Sequence, residues 1–152
     1  GCGAQGRTQL LAIDAVRDLT EVRVAARSLD SAERFCRGMQ DQVQPRLIPV
    51  ASAAEAVRDA DVICAATTSR TPVLDGADLK EGAHLNGVGS FTLDMLELDP
   101  RSIERSTIFV DEVEAALEAL SGVGDVAVSA VFGLGAGVAQ ALHGGAQFGL
   151  GL

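Results

Sequence analysis

Residues 1–6 read Gly1-Cys2-Gly3-Ala4-Gln5-Gly6 and have the G-x-G-x-x-G spacing of a turn that leads from a strand into a helix around a dinucleotide. Each glycine has a mechanical reason. The first permits a tight turn, the second lets a pyrophosphate approach the backbone, and the third lets the helix pack close to the sheet. The open N–H groups and positive dipole end of that helix would hold the phosphates, which makes Gly1, Gly3, Ala4 and Gln5 cofactor-binding candidates.

The chain downstream has the right texture for this reading. Leu11, Ala12, Ala15, Val16 and Leu19 recur at helical spacing, so a helix is expected from Gln5 to about Leu19, with that stripe laid on a sheet. Glu21–Ala26 alternates as a strand and ends at Arg27 and Ser28. Asp30 then reads as the N-cap of a helix whose inner face is Ala32, Phe35, Cys36 and Met39. Leu47–Val50 is a short strand that Pro49 assigns to an edge. Ser52 and Glu55 form a capping box, and the run DVICAA at 61–66 is a buried strand ending in Thr67, Thr68 and Ser69. Ala83–Val88 and Thr107–Val110 read as further strands, Asp99-Pro100 as a helix start, and 112–120 as a helix.

Strands and helices alternating at these intervals predict an α/β fold, a Rossmann-type doubly wound parallel sheet. The polar strand ends near Arg27, Thr67 and Gly89 would then gather with the glycine turn on the carboxyl edge, where open α/β sheets bind ligands. No strand precedes Gly1. A fragment lacking its first strand is therefore expected, with a dinucleotide-binding domain over 1–125 and a Gly/Ala-rich tail over 126–152. Gly133, Gly135 and Gly137 in that tail fail the fingerprint spacing at Val138, so the tail reads as a packing segment returning toward a domain outside this chain.

The formal charge of −9 argues against a nucleic-acid or anionic-membrane surface, and no apolar run is long enough to span a bilayer. A soluble cytoplasmic protein with a small-molecule partner is the expectation. Three cysteines without a C-x-x-C pair indicate neither a disulfide framework nor a metal site. Cys36 and Cys64 read as core. His84 reads as a core histidine within an apolar strand, and His143 has no partner in sequence.

The blocks GCGAQGRTQL, VRVAARS, DADVICAATTSRTPVLDG, GAHLNGVGSFTLDMLELD and VDEVEAALEALSGVGD occur in the order and spacing of the ornithine cyclodeaminase and mu-crystallin family, which the chain resembles over roughly 1–125. The resemblance implies a domain binding NAD or NADP, a substrate domain built mainly from upstream residues that would also carry catalysis, and a homodimeric full-length protein. Carried over by position, Gly3, Ala4 and Gln5 meet the pyrophosphate and Arg27 and Ser28 the adenosine ribose or its phosphate. Thr67 and Thr68 line the cofactor, Val88 and Gly89 lie beside the nicotinamide, and Glu114 reaches the substrate. Asp125 is weighed between a place beside the nicotinamide and a turn after Gly124.

True cyclodeaminases of the family carry an aspartate where this chain has Phe91. A phenyl ring can neither accept a proton nor hydrogen-bond an amine. The resemblance therefore implies reduction of a cyclic imine or ketimine of the pyrroline-2-carboxylate type, with ornithine cyclodeamination or a non-catalytic NADP-binding protein as the alternatives. Arg27 and Ser28 stand where NAD-preferring domains place an acid, so NADP is the expected cofactor, with NAD admissible.

Overall fold

The structure is a computed structural model, and it describes residues 1–88 and 95–109 together with the backbone of 146–151. Four α-helices and five strands are present among the described residues. They are α1 (Ala4–Asp14), β1 (Leu19–Val24), α2 (Leu29–Met39), β2 (Arg46–Pro49), α3 (Ala53–Val57), β3 (Val62–Ala65), β4 (His84–Gly87), α4 (Pro100–Glu104) and β5 (Ala146–Gly151).

The strands form one sheet in the order β2-β1-β5-β3-β4, and every pair is parallel. This is the 3-2-1-4-5 order of a doubly wound sheet, with β5 in the place of the strand that normally feeds the glycine turn. Phe148 is in register with Val22 on one side and Val62 on the other. The tail thus contributes its last stretch to the middle of the sheet. Residues 126–132, the first part of the tail, lie outside the described residues, as do the proposed boundary at 125 and the helix expected over 112–120.

Aliphatic burial on both faces of the sheet explains why the strands read as apolar runs. Val22, Val24 and Cys64 pack with Leu10 of α1 and with Ala32, Phe35, Cys36 and Met39 of α2 in one cluster. Ile63 packs with Val57, Ala60 and Leu74 in a second. The inner face expected of α2 is therefore the observed one, and Pro49 does fall in an edge strand.

Four local expectations are corrected. Helix α1 ends at Asp14 and buries Gly6 and Leu10, whereas Leu11 and Val16 are exposed. The buried third glycine sets the helix phase, and the run continuing to Leu19 mixes in residues that belong to a turn and to β1. Ser28, not Asp30, caps α2: its side chain accepts from the Ser31 N–H at 3.2 Å, and Asp30 pairs with Arg34 one turn on. His84 is exposed at the start of β4, where its Nε2 lies 2.9 Å from Asn86 Oδ1, because β4 is the outermost of the described strands on its side. Thr107–Phe109 carry no strand, and Val110 lies outside the described residues.

The helix start at Asp99 is as expected, and it has a pH signature. Asp99 Oδ1 accepts from the Ser102 N–H at 3.0 Å, from the Ser102 hydroxyl, and from the Gly76 N–H at 3.0 Å. Burial pushes the Asp99 carboxyl up, but these three donors and the Arg101 charge outweigh it and hold the group below its ordinary 3.8. A carboxylate favoured in the fold in this way stabilises above its unfolded pKa, and that contribution is lost as pH falls through the folded value. Asp99→Ala is expected to cost about 1–2 kcal/mol at pH 7, as loss of an N-cap does, and to lose most of that difference as pH falls through the folded value. Urea unfolding of both chains across pH checks this, and a difference that stays constant into acid would rule out the carboxylate as its source.

Candidate cofactor site at the carboxyl edge

Gly3 is the N-cap residue of α1, with φ −86°, and the first turn of the helix carries no side-chain cap. The helix ladder begins with the Arg7 N–H bonding the Gly3 carbonyl at 3.2 Å, so the N–H groups of the residues between them have no partner within the helix. A Cβ built on Gly3 meets nothing within 4 Å. The protein's own packing therefore does not require glycine there, whereas close approach of a phosphate would. The turn fits a dinucleotide on this ground.

Two sulfur contacts locate the turn on the sheet. Cys2 Sγ lies 4.0 Å from the Ala25 carbonyl just beyond β1, and Cys64 Sγ in β3 lies 3.6 Å from Gln9 Oε1 of α1. Cys2 thus lies at the end of β1 while α1 packs on β3, which places the turn at the switch point of the sheet. Burial raises all three thiols, Cys36 to about 11, so none is a thiolate nucleophile at neutral pH.

Arg27 and Ser28 lie just beyond β1, after Ala25 and Ala26, and are both exposed. Ser28 Oγ also lies 2.9 Å from Ser31 Oγ, so a guanidinium and two hydroxyls stand at the N-terminus of α2. Thr67 lies beyond the end of β3 and is half-buried, and Thr68 beside it is exposed. Thr67 Oγ1 accepts from the Ser69 N–H at 3.1 Å, a turn that leaves its hydroxyl hydrogen to donate. The Val88 N–H bonds the Ala65 carbonyl at 2.8 Å and so extends the β3–β4 ladder to this edge. Gly1, Gly3, Ala4, Gln5, Arg27, Ser28, Thr67, Thr68 and Val88 all lie on the carboxyl side of one parallel sheet. Gly89, Phe91, Glu114, Asp125 and His143 lie outside the described residues.

The residue that sequence reasoning missed is Glu97. It is fully buried, and its Oε1 accepts a hydrogen bond from the Thr67 N–H. The available signal was a carboxylate between Leu96 and Leu98, two residues before an N-cap, where a solvated face would not carry flanking leucines. No group of three or more metal-ligating side chains occurs among the described residues, and none of their helices is long and apolar enough to cross a membrane.

A fold with this strand order and a glycine turn at its switch point defines a Rossmann-type dinucleotide-binding domain. The chain belongs to the ornithine cyclodeaminase/mu-crystallin family, whose pattern matches residues 1–143. It is 36% identical over 119 residues to a delta(1)-pyrroline-2-carboxylate reductase of Bacillus cereus, an alignment that covers 78% of this chain and 36% of that protein. To the ketimine reductase mu-crystallin of Rattus norvegicus it is 35% identical over 118 residues, again 78% of this chain and 36% of the relative. Among solved structures, the Thermococcus litoralis delta(1)-pyrroline-2-carboxylate reductase in complex with NADH and L-proline superposes with a TM-score of 0.74 at 28% identity, covering 99% of this chain and 50% of that one. The matched region spans about a third of the length of these curated relatives.

Proposed function

We propose that this chain is the nicotinamide-cofactor domain of a homodimeric, cytoplasmic cyclic-imine reductase that acts on a pyrroline-2-carboxylate type of ketimine and prefers NADPH. The observation that carries the reading is the open, uncapped turn at Gly3 beside the ends of β1 and β3. The cofactor supplies the hydride. Gly1, Gly3, Ala4 and Gln5 hold its pyrophosphate, Thr67 and Thr68 line its path, Val88 and Gly89 flank the nicotinamide, and Glu114 approaches the substrate. The proton-transferring residues and the other substrate-holding ones belong to the part of the protein outside the 1–125 domain. Phe91 disfavours ornithine cyclodeamination, since the position offers no base. The test is loss of NADPH absorbance when the complete protein meets pyrroline-2-carboxylate. No substrate-dependent loss across a panel of cyclic imines would leave the non-catalytic NADP-binding alternative.

The preference for NADP rests on the end of β1. An acid there would bond the ribose hydroxyls and repel a 2′-phosphate, whereas here exposed Arg27 precedes Ser28. A guanidinium meets a phosphate with two parallel charge-assisted bonds. Such bonds are worth about 1.5–3 kcal/mol, so NADPH should bind about ten- to a hundredfold more tightly than NADH. Arg27→Ala should remove most of that ratio while NADH affinity stays within about threefold. Fluorescence titration with both cofactors decides the matter, and an unchanged ratio in the variant would take Arg27 out of the site.

A further inference from the structure

The loop from Thr67 to Val73 leaves β3 at the switch point, and the short segment 96–99 holds it at both ends. The Leu96 N–H bonds the Ser69 carbonyl at 2.8 Å, and the Val73 N–H bonds the Glu97 carbonyl at 2.9 Å. Ahead of these two backbone bonds, at the start of the loop, the Glu97 side chain reaches the Thr67 N–H. Further along, Asp99 takes the Gly76 N–H, so the segment and the loop stay joined through the next turn. Within the loop, Thr67 and Ser69 side chains satisfy the N–H groups of Ser69 and Thr71 at 3.1 and 3.2 Å.

A carboxyl group that is 0% exposed is costly to bury unless it is hydrogen-bonded. For fastening a surface loop, a backbone carbonyl or a serine would serve at lower cost. What a carboxylate adds is reach and a strong, fixed acceptor. It pins the amide of the first loop residue, the one whose hydroxyl faces the choice between loop and ligand.

We propose that Glu97 is a positioning residue for the nicotinamide cofactor: by holding the Thr67 N–H it fixes the Thr67–Val73 loop against the switch point and so sets cofactor affinity. The inference rests on the cofactor reading above. Its action is on binding. In the complete protein Glu97→Ala should raise the cofactor Kd about tenfold or more, as loss of a charge-assisted hydrogen bond does. The KM for the imine should stay within about twofold, and kcat should fall by less than the rise in the KM for the cofactor. Glu97→Gln retains an oxygen that can accept from Thr67 and should recover the affinity to within about threefold.

Hydrogen exchange provides a measure independent of turnover and of the cofactor. In Glu97→Ala the Thr67 amide should lose protection, while the Ile63 and Cys64 amides of β3 keep theirs. Loss of protection throughout β3 would show that Glu97 merely supports the fold, and that result overturns the proposal. Lost Thr67 protection with an unchanged Kd overturns it equally, as does failure of Glu97→Gln to recover the affinity. A wild-type protein that binds neither NADPH nor NADH would instead overturn the cofactor reading itself, which separates the two failures.

Discussion

Removing residues 146–152 from the 152-residue chain is expected to abolish its cooperative thermal transition. Strand β5 is bonded on both sides, to β1 from Leu19 to Val24 and to β3 from Val62 to Ala65. No other described strand joins those two halves of the sheet. Without it, β2-β1 and β3-β4 become two separate pairs, each with a newly exposed edge, and two-stranded units are marginal in water. The buried residues Val22, Val24, Ile63 and Cys64 would lose the layer beside them. Phe148→Pro is the milder perturbation: it removes one N–H from a central ladder and leaves a buried carbonyl without its donor, at about 1–3 kcal/mol. That should lower Tm and leave a transition intact. A deleted chain that melts cooperatively within a few degrees of the wild type would show that β5 does not complete the sheet.

This strand also marks where sequence reasoning reached its limit. The fingerprint turn, β1, the α2 inner face, the Ser52 cap of α3, β3 and the Asp99-Pro100 start of α4 depend on local spacing or capping, so they could be read directly. The run AQFGLG at 146–151 could not. Two of its six residues are glycine, which signals a turn, and its place depends on pairing with strands more than eighty residues away. The vacancy between β1 and β3 was foreseeable, since a doubly wound sheet needs a strand there, but nothing local marks 146–151 as the segment that fills it. His84 erred for a related reason. Its run is apolar enough for a core strand, and only the strand order shows that β4 is outermost among the described strands.

The candidate site divides in the same way. Glycines, Arg27, Ser28 and the threonines after β3 were legible because a parallel sheet brings the ends of its strands to one edge, whatever the intervening loops do. Glu97 was not. Its role depends on a loop and a segment thirty residues apart being laid side by side, and the hydrogen bonds that do this are to backbone groups, which carry no sequence signal.

Gly76→Ala should be among the most destabilising single substitutions in the described part of the chain. Gly76 is buried at the start of a 3₁₀ turn, with its N–H on Asp99 and its carbonyl receiving Arg105 Nη1. A Cβ there would lie 2.5 Å from the Ser102 nitrogen, 2.8 Å from the Arg101 carbonyl carbon and 2.9 Å from the Ser102 Cα. All three are backbone atoms of α4, so no side chain can rotate aside to make room. The turn must part from the helix. Overpacking of this kind costs about 1–3 kcal/mol, and parting the two also disturbs the Asp99 cap, at about 1–2 kcal/mol more. For a chain of this size each kcal/mol is worth about 2–4 °C, so a fall in Tm of roughly 5–15 °C is expected. Gly3→Ala supplies the control, because its Cβ meets nothing within 4 Å and the melting temperature should hardly move. The two variants should then differ in a second way: Gly3→Ala impairs cofactor binding at full stability, whereas Gly76→Ala impairs it through the segment that carries Glu97. Calorimetry combined with cofactor titration separates them, and a Gly76→Ala protein that melts with the wild type would mean that α4 does not pack on this turn.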